Sequence, residues 1–303
     1  MGSHTCDLLI REQPKEIVIL DDFSRGTRNN IEGTFKSGIV KVVEGDIRNI
    51  QTVNNLFCGI DYCFHLAAIR ITECAQDPRK CIETLANGTF NVLEACVKNK
   101  IKKVVAASSA SVYGMADIFP TEESHHLYNN RTIYGAAKVF NEQLLRSFND
   151  MYGLDYVALR YFNIYGPRMD AAGKYTEVLI KWMDCLEANT PPKIFGDGLT
   201  SMDFIFIRDI ARANILAMKS DASDMVFNIA SGEETTLKKL LDIFLKLTES
   251  SLKPVYHEER KVNAVRRRLA SIELAQKYLN FKAGVTLEEG LKELIEWHKN
   301  LKK

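Results

Sequence analysis

Short apolar runs alternating with helix-period stretches through the first half of the chain constrain its fold more than any other feature. Glu16-Ile17-Val18-Ile19-Leu20-Asp21 is almost wholly apolar and ends in acid, as buried parallel strands do. Residues 39–44, 62–67, 102–107 and 156–160 repeat that form. Between them lie segments of helical period, roughly 50–57, 83–99 and 134–152, and a helix also fits 3–10. Strands so interleaved with helices predict βαβ units and a doubly wound parallel α/β sheet.

After Gly166-Pro167 the rhythm loosens. The pattern predicts a helix over 175–189, a break at Thr190-Pro191-Pro192 and a turn at Gly196-Asp197-Gly198. A strand over 203–207, a helix over 208–219 and a strand over 226–229 follow. The last leads into a helix capped at Thr235 or Thr236, and an amphipathic helix over 287–301 closes the chain. This places a boundary near residue 165. Residues 1–165 form one domain, and 166–303 a smaller α/β lobe from which some elements return to the sheet.

Tyr134 and Lys138 are four residues apart and share one helix face. A fixed ammonium beside a phenol can lower the phenol's pKa, so that the phenolate takes a proton from a hydroxyl near neutral pH. Alone, such a pair reads as two solvated helix positions. Here the segment Ser108-Ser109-Ala110-Ser111-Val112-Tyr113-Gly114 directly follows a strand, where a parallel sheet displays its reactive groups. A serine, a tyrosine and a lysine are therefore available together.

A net charge of +1 gives no basic field for nucleic acid. No apolar run reaches membrane-spanning length, and the N-terminus has no signal-like stretch, which predicts a cytoplasmic protein without a membrane partner. Seven cysteines without a C-x-x-C pair predict free buried thiols, and neither a disulfide frame nor a zinc site. No metal is expected.

The chain resembles the extended short-chain dehydrogenase/reductases, in their nucleotide-sugar epimerase/dehydratase group, which includes UDP-glucose 4-epimerases. The carriers are Leu20-Asp21-Asp22-Phe23-Ser24, Gly45-Asp46-Ile47-Arg48, His65-Leu66-Ala67-Ala68, the serine-rich segment and Tyr134 to Lys138. Arg160-Tyr161-Phe162-Asn163, Tyr165-Gly166-Pro167 and Ile194-Phe195-Gly196-Asp197-Gly198 complete the series in family order. The resemblance implies a Rossmann-like NAD-binding domain and a C-terminal substrate lobe. It also implies a homodimer through the helices beginning near 83 and 134.

It further implies roles. Asp21, with Asp22, Phe23 and Ser24, would meet the adenosine ribose, and its charge favours NAD over NADP, although Arg25 and Arg28 could accept a phosphate; a solvated turn is the plain alternative. Asp46 and Ile47 would lie at adenine. Leu66, Ala67 and Ala68 would admit close backbone approach to the cofactor, while Arg70 would meet the pyrophosphate or stand as a surface arginine. Asn87 would support the cofactor site or be a surface amide. Tyr134 is the implied general base and acid, and Lys138 the cation that tunes it and holds the nicotinamide ribose. Ser109 would bind the reacting oxygen, with Ser108 and Ser111 as near alternatives. His65 reads as a packed histidine. On the substrate side, Asn163 and Arg266, with Arg268 as the fallback, would meet the diphosphate, and Phe195 the base. Met202 stands before Asp203-Phe204 where the family often carries an arginine.

Family dehydratases carry Asp-Glu near Ser109-Ala110-Ser111, and family decarboxylases a Glu at the position of Ser111; this chain has neither acid. The implied activity is therefore NAD-dependent epimerisation of a nucleotide sugar, a UDP-hexose at C4 foremost, through a transient ketone. A dehydratase, a reductase or a non-catalytic nucleotide-binding relative are the competing readings. The family opens with a strand running into G-x-x-G-x-x-G, whose amides hold the pyrophosphate. Gly2 aligns with the third glycine, and the strand and first two glycines have no counterpart. Met1-Gly2-Ser3-His4 reads as a tag remnant or as the family's continuation, and Ser3-His4-Thr5-Cys6 favours continuation. The expectation is weak NAD binding and a less stable sheet.

Overall fold

The computed structural model describes residues 1–171, 177–259 and 265–301. In chain order the strands are β1 (Ile17–Asp21), β2 (Val40–Glu44), β3 (Tyr62–His65), β4 (Lys103–Ser109), β5 (Tyr156–Tyr161), β6 (Asn163–Tyr165), β7 (Lys193–Phe195), β8 (Ser201–Phe206), β9 (Met225–Ile229), β10 (Glu234–Thr236) and β11 (Val255–His257). β3, β4, β5 and β9 form a parallel sheet in that order, and β1 pairs in parallel with β2. The predicted parallel α/β architecture is present. β6, β8 and β10 make a small mixed sheet, and β7 pairs with β11.

Among the described residues β1 and β3 are not hydrogen-bonded to each other. Packing joins the two ladders instead, since Leu20 of β1 and Cys63 of β3 contact one buried cluster around Val53, Leu93 and Val104. A parallel strand is normally covered on both faces. β4 and β5 are buried almost throughout, whereas most residues of β1 are only half-buried despite their apolar composition.

β9, from beyond residue 166, pairs with β5, and the helix Ile207–Lys219 packs on β4 and β5. Val105 and Leu159 of the sheet share the largest core cluster with Trp182, Phe206, Phe244 and Leu294 of the later half.

Local signals set several element ends. Thr132 accepts from Gly135 N and starts the helix Ile133–Tyr152, which ends at Gly153 with φ +67°. The strand from Tyr62 stops at His65, short of the expected Ala67, because Leu66 N turns back to Phe64 O at 3.1 Å. The helix expected from 83 begins earlier, at Pro78, capped by Asp77, and passes through a wide π turn at Glu83–Asn87 into Gly88–Lys98. The C-terminal helix is Leu287–Leu301, as expected. Of the helix expected over 175–189, Tyr175 lies outside the described residues and Val178–Glu187 is helical.

The cysteines correct one expectation. Cys74 and Cys81 form a disulfide, their Cα atoms 4.9 Å apart, where free thiols were expected. Asp77 breaks the chain between two short helices and folds them onto each other, a proximity that spacing alone does not reveal. Cys6, Cys58, Cys63, Cys96 and Cys185 are free. Among the described residues, no helix is long and apolar enough to cross a membrane.

Candidate active site

The end of β4 docks along one face of the helix Ile133–Tyr152, and successive contacts fix their register. The Ser109 hydroxyl favours the charged form of the Tyr134 phenol. Lys138 Nζ donates to Ala107 O at 2.7 Å, and Ser108 Oγ donates to the Glu142 carboxylate. Positions 134, 138 and 142 are one helical turn apart, so they line up beneath the strand end. Ser109 Oγ accepts from Ser111 N at 3.1 Å, which leaves its proton available to donate. Ser111 is buried, and its carbonyl accepts from Asn130 Nδ2 at 2.9 Å.

The electrostatics differ from the simple picture of an ammonium acidifying a phenol. Burial raises the Tyr134 pKa above its ordinary value, while the Ser109 hydroxyl and the charges of Arg25 and Arg268 work against that rise. Lys138 Nζ lies 5.9 Å from the centre of the Tyr134 ring. Burial lowers the lysine's own pKa to about 8, with Glu142 opposing. Desolvation thus acts on both partners, a tertiary effect that residue spacing does not report.

Behind these groups lies a buried network. Arg160 grips Glu142 in bidentate fashion, Nε to Oε1 at 2.9 Å and Nη2 to Oε2 at 2.6 Å. Its Nη1 donates to Tyr113 Oη and to Glu123 O, both at 2.9 Å, and Tyr113 Oη donates to Asn228 Oδ1 at 2.6 Å. His65 is the packed histidine expected: its Nε2 meets Thr89 Oγ1 at 2.9 Å, and burial, aided by Lys138, lowers its pKa to about 3.

Of the residues expected at the cofactor, Asp21 to Ser24, Asp46 and Ile47, and Leu66 to Ala68 lie at or just past the ends of β1, β2 and β3. Asp21 ends β1 and accepts from Phe23 N at 2.8 Å, while Asp22 accepts from Ser24 N and Oγ, so this loop is a pair of tight aspartate turns. Asp46 and Asn87 line an open pocket with Arg48, Asn49 and Glu83. Arg48, which the sequence reading did not assign, holds the Asp46 carboxylate at 2.6 and 2.8 Å and keeps its pKa low. A Cβ on Gly88 would stand 2.7 Å from the Ile47 side chain, so only glycine lets the helix approach this loop. Leu66, Ala67 and Ala68 are half-buried just past β3. Arg70 pairs with Asp170 at 3.2 Å, so neither reading offered for it, free for pyrophosphate or plain surface arginine, describes it fully. Gly2 is the first residue of the helix Gly2–Leu9.

On the substrate side Asn163 Nδ2 donates to Asp203 O at 3.0 Å, and the Phe195 ring lies 5.5 Å from that of His257. The arginine triplet divides its roles. Arg266 is exposed and holds Glu259 at 2.7 and 3.2 Å, and Arg267 holds Glu234. Arg268, the fallback, interacts with Tyr134; burial lowers its pKa to about 10, and its Nε has no hydrogen-bond partner. Pairing of this segment with β8, through Arg268 N to Ser201 O at 3.0 Å, decides which arginine turns inward.

Comparison with known proteins gives a consistent result. The model of the NAD dependent epimerase/dehydratase family matches residues 1–230. A putative UDP-glucose 4-epimerase of Methanocaldococcus jannaschii is 33% identical over 99% of this chain and 95% of its own. The structure of a UDP-N-acetylglucosamine 4-epimerase from Methanobrevibacter ruminantium, in complex with UDP-N-acetylmuramic acid, superposes with a TM-score of 0.93 at 33% identity, covering 99% of this chain and 95% of that one. A UDP-glucuronic acid 4-epimerase from Bacillus cereus, in complex with UDP-glucuronic acid and NAD, gives 0.89 at 26% identity, covering 99% and 96%.

Proposed function

The chain belongs to the NAD dependent epimerase/dehydratase family, and from that premise we propose that it epimerises a UDP-sugar at C4 with NAD as cofactor. The observation that carries the reading is the buried Tyr134 phenol, whose charged form Ser109 favours, with Lys138 Nζ 5.9 Å from its ring. Relatives of this chain that are named 4-epimerases support it, as does the absence of an acidic pair at Ser109-Ala110-Ser111.

When bound, NAD accepts a hydride from the sugar carbon and later returns it. Asp21, Asp46, Ile47 and Asn87 would hold its adenosine end, and Gly88 fits that use because it keeps the cradle narrow. Leu66, Ala67 and Ala68 would flank the dinucleotide. Tyr134 takes the proton of the C4 hydroxyl as that carbon becomes a ketone, and gives it back once the sugar has turned its other face. Ser109 stabilises the charged form of the phenol. Lys138, fixed by Ala107 O, holds the nicotinamide ribose. Asn163, Phe195 and the inward Arg268 would hold the nucleotide diphosphate in the lobe beyond residue 166, and exposed Arg266 has the weaker claim.

We also read the protein as a cytoplasmic homodimer joined through the helices 78–98 and 133–152, which leave Ile82, Phe90, Phe140 and Tyr152 exposed.

The experiment is incubation with NAD and a panel of UDP-hexoses, UDP-N-acetylhexosamines and UDP-uronic acids, resolving C4 epimers by chromatography. Tyr134→Phe should lower turnover about 100- to 10,000-fold, the usual contribution of a positioned acid–base group. Net NADH release or loss of water would favour a reductase or dehydratase. An undiminished Tyr134→Phe rate would remove the base assignment.

A further inference from the structure

We propose that Asp117, His125 and His126 form a binding site for a divalent cation of the zinc type. One ligand atom of each lies within 4.8 Å of those of the other two. His125 Nε2 stands 2.7 Å from Asp117 Oδ1, and His126 Nε2 stands 3.8 Å from the same oxygen. Bond lengths of about 2.0–2.2 Å to zinc put tetrahedral ligand atoms roughly 3.3–3.5 Å apart, between these two spacings. The Asp117 and His126 side chains are 62% and 45% exposed, so small rotations of either complete the geometry.

The hydrogen bonds of His125 carry the argument further. Its Nδ1 lies 2.7 Å from the carbonyl oxygen of His126, which can only accept, so Nδ1 bears the proton. Asp117 N–H approaches Nε2 at 3.5 Å, so both the backbone and the carboxylate of Asp117 lie against that nitrogen. His125 Nε2 and the Asp117 carboxylate face each other at 2.7 Å, a contact that either a proton on Nε2 or a divalent cation can bridge. A ring nitrogen donating to a backbone carbonyl while the other faces the metal is the usual arrangement of a ligating histidine. The Tyr113 ring, edge-on at 5.9 Å, and the His126 ring at 4.5 Å set the orientation of the imidazole, whose side chain is only 3% exposed. Nitrogen and carboxylate donors together suit zinc better than calcium or magnesium.

The site sits in the connection between the segment bearing Ser109 and the helix bearing Tyr134. That connection is tied to the core through Glu123, whose carbonyl takes Arg160 and whose carboxylate takes Asn228 N at 2.7 Å. A cation held by Asp117 and the two histidines would close the loop between them, so its role is to order this connection and not to enter the chemistry.

The full chain, stripped with EDTA, would be dialysed against zinc chloride and its bound metal measured. One equivalent should bind saturably. Asp117→Asn and His126→Ala should each weaken binding at least tenfold without changing the melting temperature in EDTA, because both side chains are exposed. Cobalt(II) in place of zinc should give the visible bands of a tetrahedral site without a sulfur charge-transfer band, which separates this site from the free cysteines. Absence of saturable zinc binding, a loss under tenfold in both variants, or a sulfur charge-transfer band would each overturn the proposal.

Discussion

His65 shows how far the fold can push a single residue. It is buried beside Lys138, and its pKa falls from the ordinary value near 6.5 to about 3. The unfolded chain therefore binds one more proton than the folded one between those values, and stability rises with pH across that window. The contribution is fully present above pH 6.5 and is lost as pH falls toward 3. At pH 4.5 the loss is about 2–3 kcal/mol from this residue, at about 1.4 kcal/mol per pH unit. His65→Gln can keep a hydrogen bond to Thr89 and does not titrate. Its urea midpoint should change less than the wild type's between pH 7.5 and 4.5, and an equal change in both would refute the assignment. Nothing in the letters around His65 announces this shift. The reading of it as a packed histidine followed from Tyr134 already filling the base role.

At the scale of elements, β4, β5 and the helix Ile133–Tyr152 are locked by the Glu142–Arg160 pair, whose side chains are 4% and 5% exposed. Glu142→Ala strands the Arg160 guanidinium in the interior and removes the acceptor of Ser108. Breaking a buried pair from one side costs about 3–5 kcal/mol. Chemical denaturation should show a loss of that size, and Glu142→Leu with Arg160→Met should recover much of it. A Glu142→Ala variant as stable as wild type would sink the claim. The element boundaries were largely legible, because apolar periodicity, Thr132 and Gly153 act within a few residues of the backbone they shape. The Glu142–Arg160 pair was not, because its partners are 18 residues apart and meet only when a helix packs on a strand. The Cys74–Cys81 disulfide was missed likewise, since a sharp turn at Asp77 is a matter of two helices folding back.

Over the whole molecule, one core runs from β4 and β5 into the later half through Trp182, Phe206, Phe244 and Leu294, so any substrate lobe shares its interior with the sheet. Exposed apolar side chains on the helices 78–98 and 133–152 leave a face that a second copy would cover. Sedimentation at micromolar concentration should give twice the 34.3 kDa chain mass, and Phe90→Asp with Phe140→Asp should halve it. A wild type sedimenting at the single-chain mass would end the dimer reading. The sequence alone determined the alternation of strands and helices and the pairing of Tyr134 with Lys138, because periodicity and i,i+4 spacing are properties of neighbouring residues. Only the tertiary structure decided that burial raises the phenol's pKa, that Arg268 and not Arg266 turns toward it, and that Arg160 holds Glu142. Desolvation and ion pairing depend on which distant segments surround a group, and no short stretch of chain carries that information.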